Sequence, residues 1–451
     1  MHSMKQLMIR DKNFYKNILR IGLPIVLQGM ITMGVNMADT IMLGKMGEVQ
    51  LAGSSLANEF INIFMIMCMG MGYGAAVLTA KYWGSKEMNQ FKKIMTLMLR
   101  LCLTLSSLFT LFALVAPRTI MGIFSDETEI IESGVLYFQI SAFTFIPMGL
   151  TLTLTAVLRS VRETRFPLYM AMLALFTNVF FNWVFIFGNL GAPRLEIRGA
   201  ALGTLISRLI EMVWFLIYFL KIDKKIRYRA EDLFMSCKDR IGYYVTFCIP
   251  VLISDTLLGL GNSMAAVIMG HIGASFVAAN AIIAQVVRMS TVFNQGVSSA
   301  ASIMTGNTVG AGDRELAKRQ GITFWMLGIA VGLLAAVLIL IFCPIVISTF
   351  NITKETEAVA YEMMWAVALM VVFQTMQSML TKGILRGGGD TRYLMVADII
   401  FLWCLSIPLG YATGILWKCT SFIVYCALKA DWIVKSIMCT HRLFKGEWIK
   451  M

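Results

Sequence analysis

Asp39 lies inside the first long apolar segment of the chain, Ile18 to Leu43. A carboxylate at that depth costs about 2.5–3.5 kcal/mol on insertion scales, and intramembrane acids are by default functional groups facing a cavity, a partner or an ion. Gln28, Thr32 and Asn36 precede it at steps of four, four and three residues, so all four share one face of a helix. The chemistry on offer is exchange of a proton or a hard cation: one titratable group beside amide and hydroxyl oxygens along a polar path. The competing reading is a carboxylate satisfied by amides for packing alone.

Further polar residues in apolar stretches are candidates for binding a polar or cationic molecule. Asp255 follows Pro250 by five residues, and Asn262 lies seven further on, on the same helical face. Asp255 suits recognition of a substrate cation or a second protonation site, against a packing role with Pro250. Asp398 is a similar acid in a later apolar run. Gln285 and Arg288 are three apart on one face, and Arg288 is expected to pair with Asp255 or Asp398. Arg208 and Glu211, also three apart, read as a structural ion pair. Lys429, Asp431 and Lys435 read as anchors at the membrane interface. Among the 34 methionines, Met33, Met37, Met65, Met69 and Met264 are candidates for an adaptable apolar cavity wall.

The elements that position these residues are membrane helices. The 451 residues are 58% hydrophobic and 14% charged, whereas a soluble domain is about a quarter charged. About twelve segments approach the ~20 residues needed to cross a bilayer. The basic start leads into a segment too long for a signal peptide, so the first helix is expected to stay. Lys and Arg number 29 in one alternating set of loops and 6 in the other. By the positive-inside rule this puts both termini in the cytoplasm of a multi-pass cell-membrane protein. It also accounts for the net charge of +13 without a nucleic-acid partner. No C-x-x-C pair occurs among nine cysteines, and the three histidines lie at ends or in a loop, so neither a zinc site nor a disulfide framework is indicated.

The chain also repeats itself. Pro24, Asn36, Gly44, Gly47, Gly70, Thr79 and Gly84 match Pro250, Asn262, Gly270, Gly273, Gly296, Thr305 and Gly310, all offset by 226. Arg159, Thr164 and Arg165 match Arg386, Thr391 and Arg392 one residue later. The expected fold is an all-α membrane protein of twelve transmembrane helices in two six-helix lobes, related by a pseudo-two-fold along the membrane normal. The lobes are 1–220 and 241–451, joined by a basic cytoplasmic linker at 221–240 that reads as a solvated connection. Substrate is expected at the repeat interface near the bilayer midplane. Ala265 stands where Asp39 would repeat, so the halves are not chemically equivalent.

These residues resemble the multidrug and toxic compound extrusion (MATE) family. The likeness rests on Pro24, Gln28, Asp39, Gly44 and Gly47 in the first helix and on the Ala/Gly-rich run to Gly84 in the second. It rests also on Gly383-Ile-Leu-Arg-Gly-Gly-Gly-Asp-Thr-Arg392 and on the tail from Lys435 to Trp448. The resemblance implies two six-helix lobes and cation-coupled efflux of organic compounds. It further implies a sodium or proton site built from Asp39, Asn178 and Asn182 on helix 5 and Thr204 on helix 6. Asn182 is a departure, since members with that site often carry a second aspartate there. One carboxylate and two amides suit weak Na+ binding at Asp39, and a lone Asp39 suits protonation.

Together these readings describe a secondary antiporter with no cofactor beyond its coupling ion, H+ or Na+. It would export organic, cationic amphipathic molecules by alternating access and work as a monomer among membrane lipids. A flippase or exporter of a lipid-linked sugar or single metabolite is the alternative on the same fold. Gly387-Gly388-Gly389 lacks the Gly-Lys-Ser/Thr ending of a phosphate loop, so ATP-driven transport has no support. No cluster of His, Cys or carboxylates near one membrane face suggests an enzyme.

Overall fold

The computed structural model describes residues 8–125, 127–349 and 352–450. Among these the chain is helical, with no strand. Eleven helices are long and apolar enough to cross a bilayer. They are α1 (Lys12–Gly44), α2 (Glu48–Gly84), α3 (Met88–Val115), α4 (Thr128–Ser160), α5 (Arg165–Phe187), α6 (Ile197–Ile222), α7 (Lys238–Ile272), α8 (Ala274–Gly310), α9 (Arg314–Thr349), α10 (Lys354–Leu385) and α11 (Thr391–Leu416). The twelfth expected span is broken. It runs as Ser421–Leu428 and Ala430–Lys445, together α12, either side of Lys429, whose φ of −119° and ψ of 16° leave the helix.

The repeated glycines have physical reasons. Gly47 (φ 133°) and Gly273 (φ 151°) turn the chain between α1 and α2 and between α7 and α8 with dihedrals that a side chain disfavours. Gly84 and Gly310 make a reciprocal contact. A Cβ on Gly84 would strike the carbonyl of Asn307, and one on Gly310 would strike the carbonyl of Lys81. Those partners are themselves 226 residues apart.

The described residues group into two compact units. One comprises residues up to Val26, Ala80–Lys86 and Ile249 onward. Its cores bury Phe324, Ile384, Leu443 and Trp448 in one cluster and Ile283, Ile339, Met363 and Met370 in another. The second unit comprises Leu27–Thr79 and Glu87–Cys248. Its core is an aromatic nest in which Phe64 lies 4.9 Å from Phe145 and 5.1 Å from Phe109, and Phe60 lies 5.3 Å from Phe138.

The segment 221–240 is docked, not merely solvated as its composition suggested. Ile226, Tyr228 and Cys237 are buried. Tyr228 shares a 2.7 Å hydrogen bond with Thr96 of α3, and Arg100 donates to the Leu233 and Met235 carbonyls at 2.6 and 2.8 Å. Lys92 and Lys93 pair with Asp232 and Asp239, each at 2.8 Å.

Candidate functional site

A cavity of about 330 Å³ opens within the second unit. Helix α1 supplies Gln28, Thr32, Asn36 and Asp39, the stripe read from spacing. Helix α2 adds Ser54, Ser55, Asn58 and Asn62, α4 adds Tyr137, Ser141 and Thr144, α5 adds Asn178, and α6 adds Thr204, Ser207, Arg208 and Glu211. Apolar wall comes from Ile31, Val35, Met65, Met148 and Leu152. Of the five methionines singled out, Met65 lines this cavity, whereas Met33, Met37, Met69 and Met264 are exposed on helix surfaces.

Asp39 is tied to α5. Asn182 donates its side-chain N–H to Asp39 Oδ1 at 2.5 Å and also reaches Asn178 Oδ1 at 3.3 Å. Asn178 in turn donates to Thr204 Oγ1 at 3.2 Å. The four residues named from the family resemblance thus form one connected chain of polar atoms across α1, α5 and α6. Asn182 is fully buried behind the cavity wall, and its Oδ1 accepts no hydrogen bond. It turns toward Gly203, where any Cβ would overlap it, so the small residue lets α6 close over the amide. Thr32 and Thr40 spend their hydroxyls on the carbonyls of Gln28 and Asn36, which leaves the amides of the stripe for other partners. Gln28 takes one: Arg159 donates to its Oε1 at 2.5 Å.

Arg208 and Glu211 pair at 2.8 Å as expected from their spacing, but they line the cavity. The wall therefore carries a guanidinium and a second carboxylate that sequence reading treated as scaffold. Tyr137, Asn58 and Ser207 were not singled out either. Each has polar companions at helical spacing, Ser54 and Asn62 beside Asn58, Ser141 and Thr144 beside Tyr137, Thr204 and Glu211 beside Ser207, so the same rule that marks the α1 stripe marks these faces.

The remaining candidates lie in the other unit. Asp255 pairs with Arg386 of the Gly-rich phrase at 3.0 Å, not with Arg288. Asp398 pairs with Lys435 at 2.9 Å, again not with Arg288. Arg288 and Gln285 are exposed on α8, and among the described residues Arg288 has no ion-pair partner. The pairing expected of Arg288 fails because three helical residues of separation set its face but not its neighbours. Asn262 is exposed and accepts from Lys429 at 3.5 Å. Asp431 and Lys435 are buried, at 2% and 0% exposure, so they are interior ion partners rather than interface anchors. The glycines of the phrase are structural: Gly388 lies under the ring of Trp448, and Asp390 is held by Arg442.

A polytopic all-α membrane protein whose helices enclose a polar, acid-bearing cavity is in class a membrane transporter. The chain belongs to the MatE family, whose sequence profile it matches over residues 24–184 and 250–412, one stretch in each half. It is similar to an uncharacterized transporter, YisQ, of Bacillus subtilis, 22% identical over 98% of this chain and 96% of the relative. It is also similar to a probable multidrug resistance protein, NorM, of Thermotoga maritima, 23% identical over 96% of this chain and 93% of the relative. Among solved structures it superposes on a MATE protein in the bent conformation with a TM-score of 0.86, covering 96% of each chain at 16% identity. An outward-facing multidrug resistance MATE transporter gives 0.85 over 98% of each chain at 17% identity. The fold is thus the two-lobed, twelve-helix MATE architecture, and the family is one of multidrug efflux transporters.

Proposed function

We propose that this chain exports organic, cationic amphipathic molecules from the cytoplasm in exchange for inward-moving protons, with Asp39 as the coupling group. The observation that carries this reading is the Asp39–Asn182 hydrogen bond at the edge of a polar cavity. An ionised Asp39 accepts a charge-assisted bond from Asn182, roughly twice as strong as a neutral one. Protonation weakens that tie between α1 and α5 and shifts the balance between alternating states. The cavity's polar stripe and apolar wall together suit an amphipathic cargo.

Sodium fits this arrangement less well than a proton. A hard cation is held by oxygen donors. Here the amide N–H of Asn182 faces the Oδ1 atoms of both Asp39 and Asn178. A lipid-linked sugar as cargo is also less supported. The single basic residue among those lining the cavity, Arg208, is paired with Glu211, which leaves little to attract a phosphate. The loop-charge asymmetry supports a plasma-membrane orientation with both termini cytoplasmic. A cavity built wholly within one unit supports function as a monomer.

The test is transport of a fluorescent organic cation in proteoliposomes under an imposed pH gradient or an imposed sodium gradient. A pH gradient alone is expected to drive it, and Asp39→Asn is expected to abolish the drive. Export driven by sodium alone overturns the choice of ion. An Asp39→Asn variant that couples like wild type overturns the site.

A further inference from the structure

The unit without Asp39 holds a buried charge network of its own. Lys435 of α12 lies 2.9 Å from Asp398 of α11 and 3.0 Å from Asp431, and the three side chains are 0%, 5% and 3% exposed. Two carboxylates thus share one ammonium in direct contact. Among the described residues no other cation lies within ion-pair distance of either acid. Keeping a net charge in contact at such depth costs several kcal/mol per ion unless it is compensated.

Each acid also has its own serine. Ser254 of α7 contacts Asp398 Oδ2 at 2.5 Å, and Ser406 contacts Asp431 Oδ1 at 3.0 Å. A hydroxyl both donates and accepts. It can donate to a carboxylate or accept from a carboxylic acid, so either acid can gain or lose a proton without losing a hydrogen bond. Lys435 Nζ lies within ion-pair distance of both acids at once.

The backbone is irregular beside the three charges in α11 and α12, whereas α7, which carries Ser254, is one continuous helix. A π-helical turn at Ile400–Ser406 begins two residues after Asp398 and ends on Ser406. Another at Met379–Leu385 carries Lys382, and α12 breaks at Lys429, two residues before Asp431. Such turns recur at functional sites in helices. The surrounding charged and titratable groups are Lys382 and Arg386 of α10, Asp255 of α7, and Lys429 and Cys439 of α12. Arg386 is committed to Asp255, and Lys429 faces Asn262 and the Trp432 ring. Lys382, on the π-helical turn of α10, is the remaining basic neighbour.

We propose that Asp398 and Asp431, gathered around Lys435, form a second proton-binding site that takes up and releases one proton per chain. It uses residues apart from Asp39 and stands whether or not Asp39 couples transport.

The test reads protons directly. Infrared difference spectra of the purified full chain in nanodiscs, between acidic and alkaline buffer, are expected to show a titrating band of a protonated carboxylic acid from this site. Asp398→Asn and Asp431→Asn each leave one acid for one lysine, and each is expected to lose that one titrating carboxyl per chain. Asp39→Asn is expected to keep it. Ser254→Ala leaves every charge in place and is expected to shift the band's frequency, so the test survives a failure of either Asn variant to fold. If the band is absent, or is unchanged by Ser254→Ala and by whichever Asn variant folds, the network is only a structural clamp and the proposal falls.

Discussion

Asn182→Asp is the sharpest perturbation of the proposed coupling site. The substitution is nearly isosteric and replaces the N–H that meets Asp39 Oδ1 at 2.5 Å with an oxygen. Two ionised carboxylates about 4 Å apart repel by about 4 kcal/mol at an effective dielectric of about 20. At 1.4 kcal/mol per tenfold, that is roughly a thousandfold gain in the affinity of the pair for a proton or sodium ion that relieves the repulsion. The assay is the thermal midpoint of purified protein against sodium chloride, with potassium chloride as the ionic-strength control. Wild type is expected to be indifferent to the choice of cation. The variant is expected to be stabilised selectively by sodium, by about 2.7 kcal/mol at a hundred times its dissociation constant. Its pH-driven transport without sodium should fall, because the shared proton is held too tightly to be released. A variant with wild-type transport and no sodium response would refute the placement of residue 182 against Asp39.

Two further perturbations address the scaffold. Burial opposes the charge of Asp232, but Lys92 at 2.8 Å and the Arg229 N–H outweigh it and hold the carboxyl below its usual range. A depressed carboxyl stabilises above its unfolded value, near pH 4, and that stabilisation is lost as pH falls through the folded value. Hydrogen-exchange protection of 221–240 should therefore persist at neutral pH and decline below about pH 4, and Asp232→Asn should lower it at neutral pH. A Cβ on Gly388 would overlap the Trp448 ring and sit 2.7 Å from the Trp448 carbonyl oxygen. Gly388→Ala should cost about 1–3 kcal/mol and Trp448→Ala about 3–5 kcal/mol. The double variant should cost less than their sum in a thermal melt, since both act on one contact.

Much of this architecture was legible because a bilayer restricts what a sequence can do. A carboxylate in an apolar run stands out, so Asp39 and its stripe were found from spacing alone. The twelve-span count and the duplication followed from hydropathy and from glycines that later proved to turn the chain or touch another backbone. Asn178, Asn182 and Thr204 carried no such signal and came from resemblance. What stayed hidden depended on how helices rotate against one another. Arg386 and Lys435 were counted with loop charge, yet both are buried partners of acids carried on the helices. Arg208 looked like scaffold because its partner lies one turn away, and only the packed helices show that both face a cavity. The break at Lys429 escaped notice because apolar residues continue on both sides of it.

The mutual approach of Gly84 to residue 307 and of Gly310 to residue 81 has a bearing on the origin of the chain. In a symmetric dimer of a half-length ancestor, one glycine in one gene would have made both contacts, as isologous interfaces require. After fusion the same geometry demands two codons that must each stay without a side chain. The two halves of this chain differ at residues 39 and 265, yet both keep a glycine at this seam.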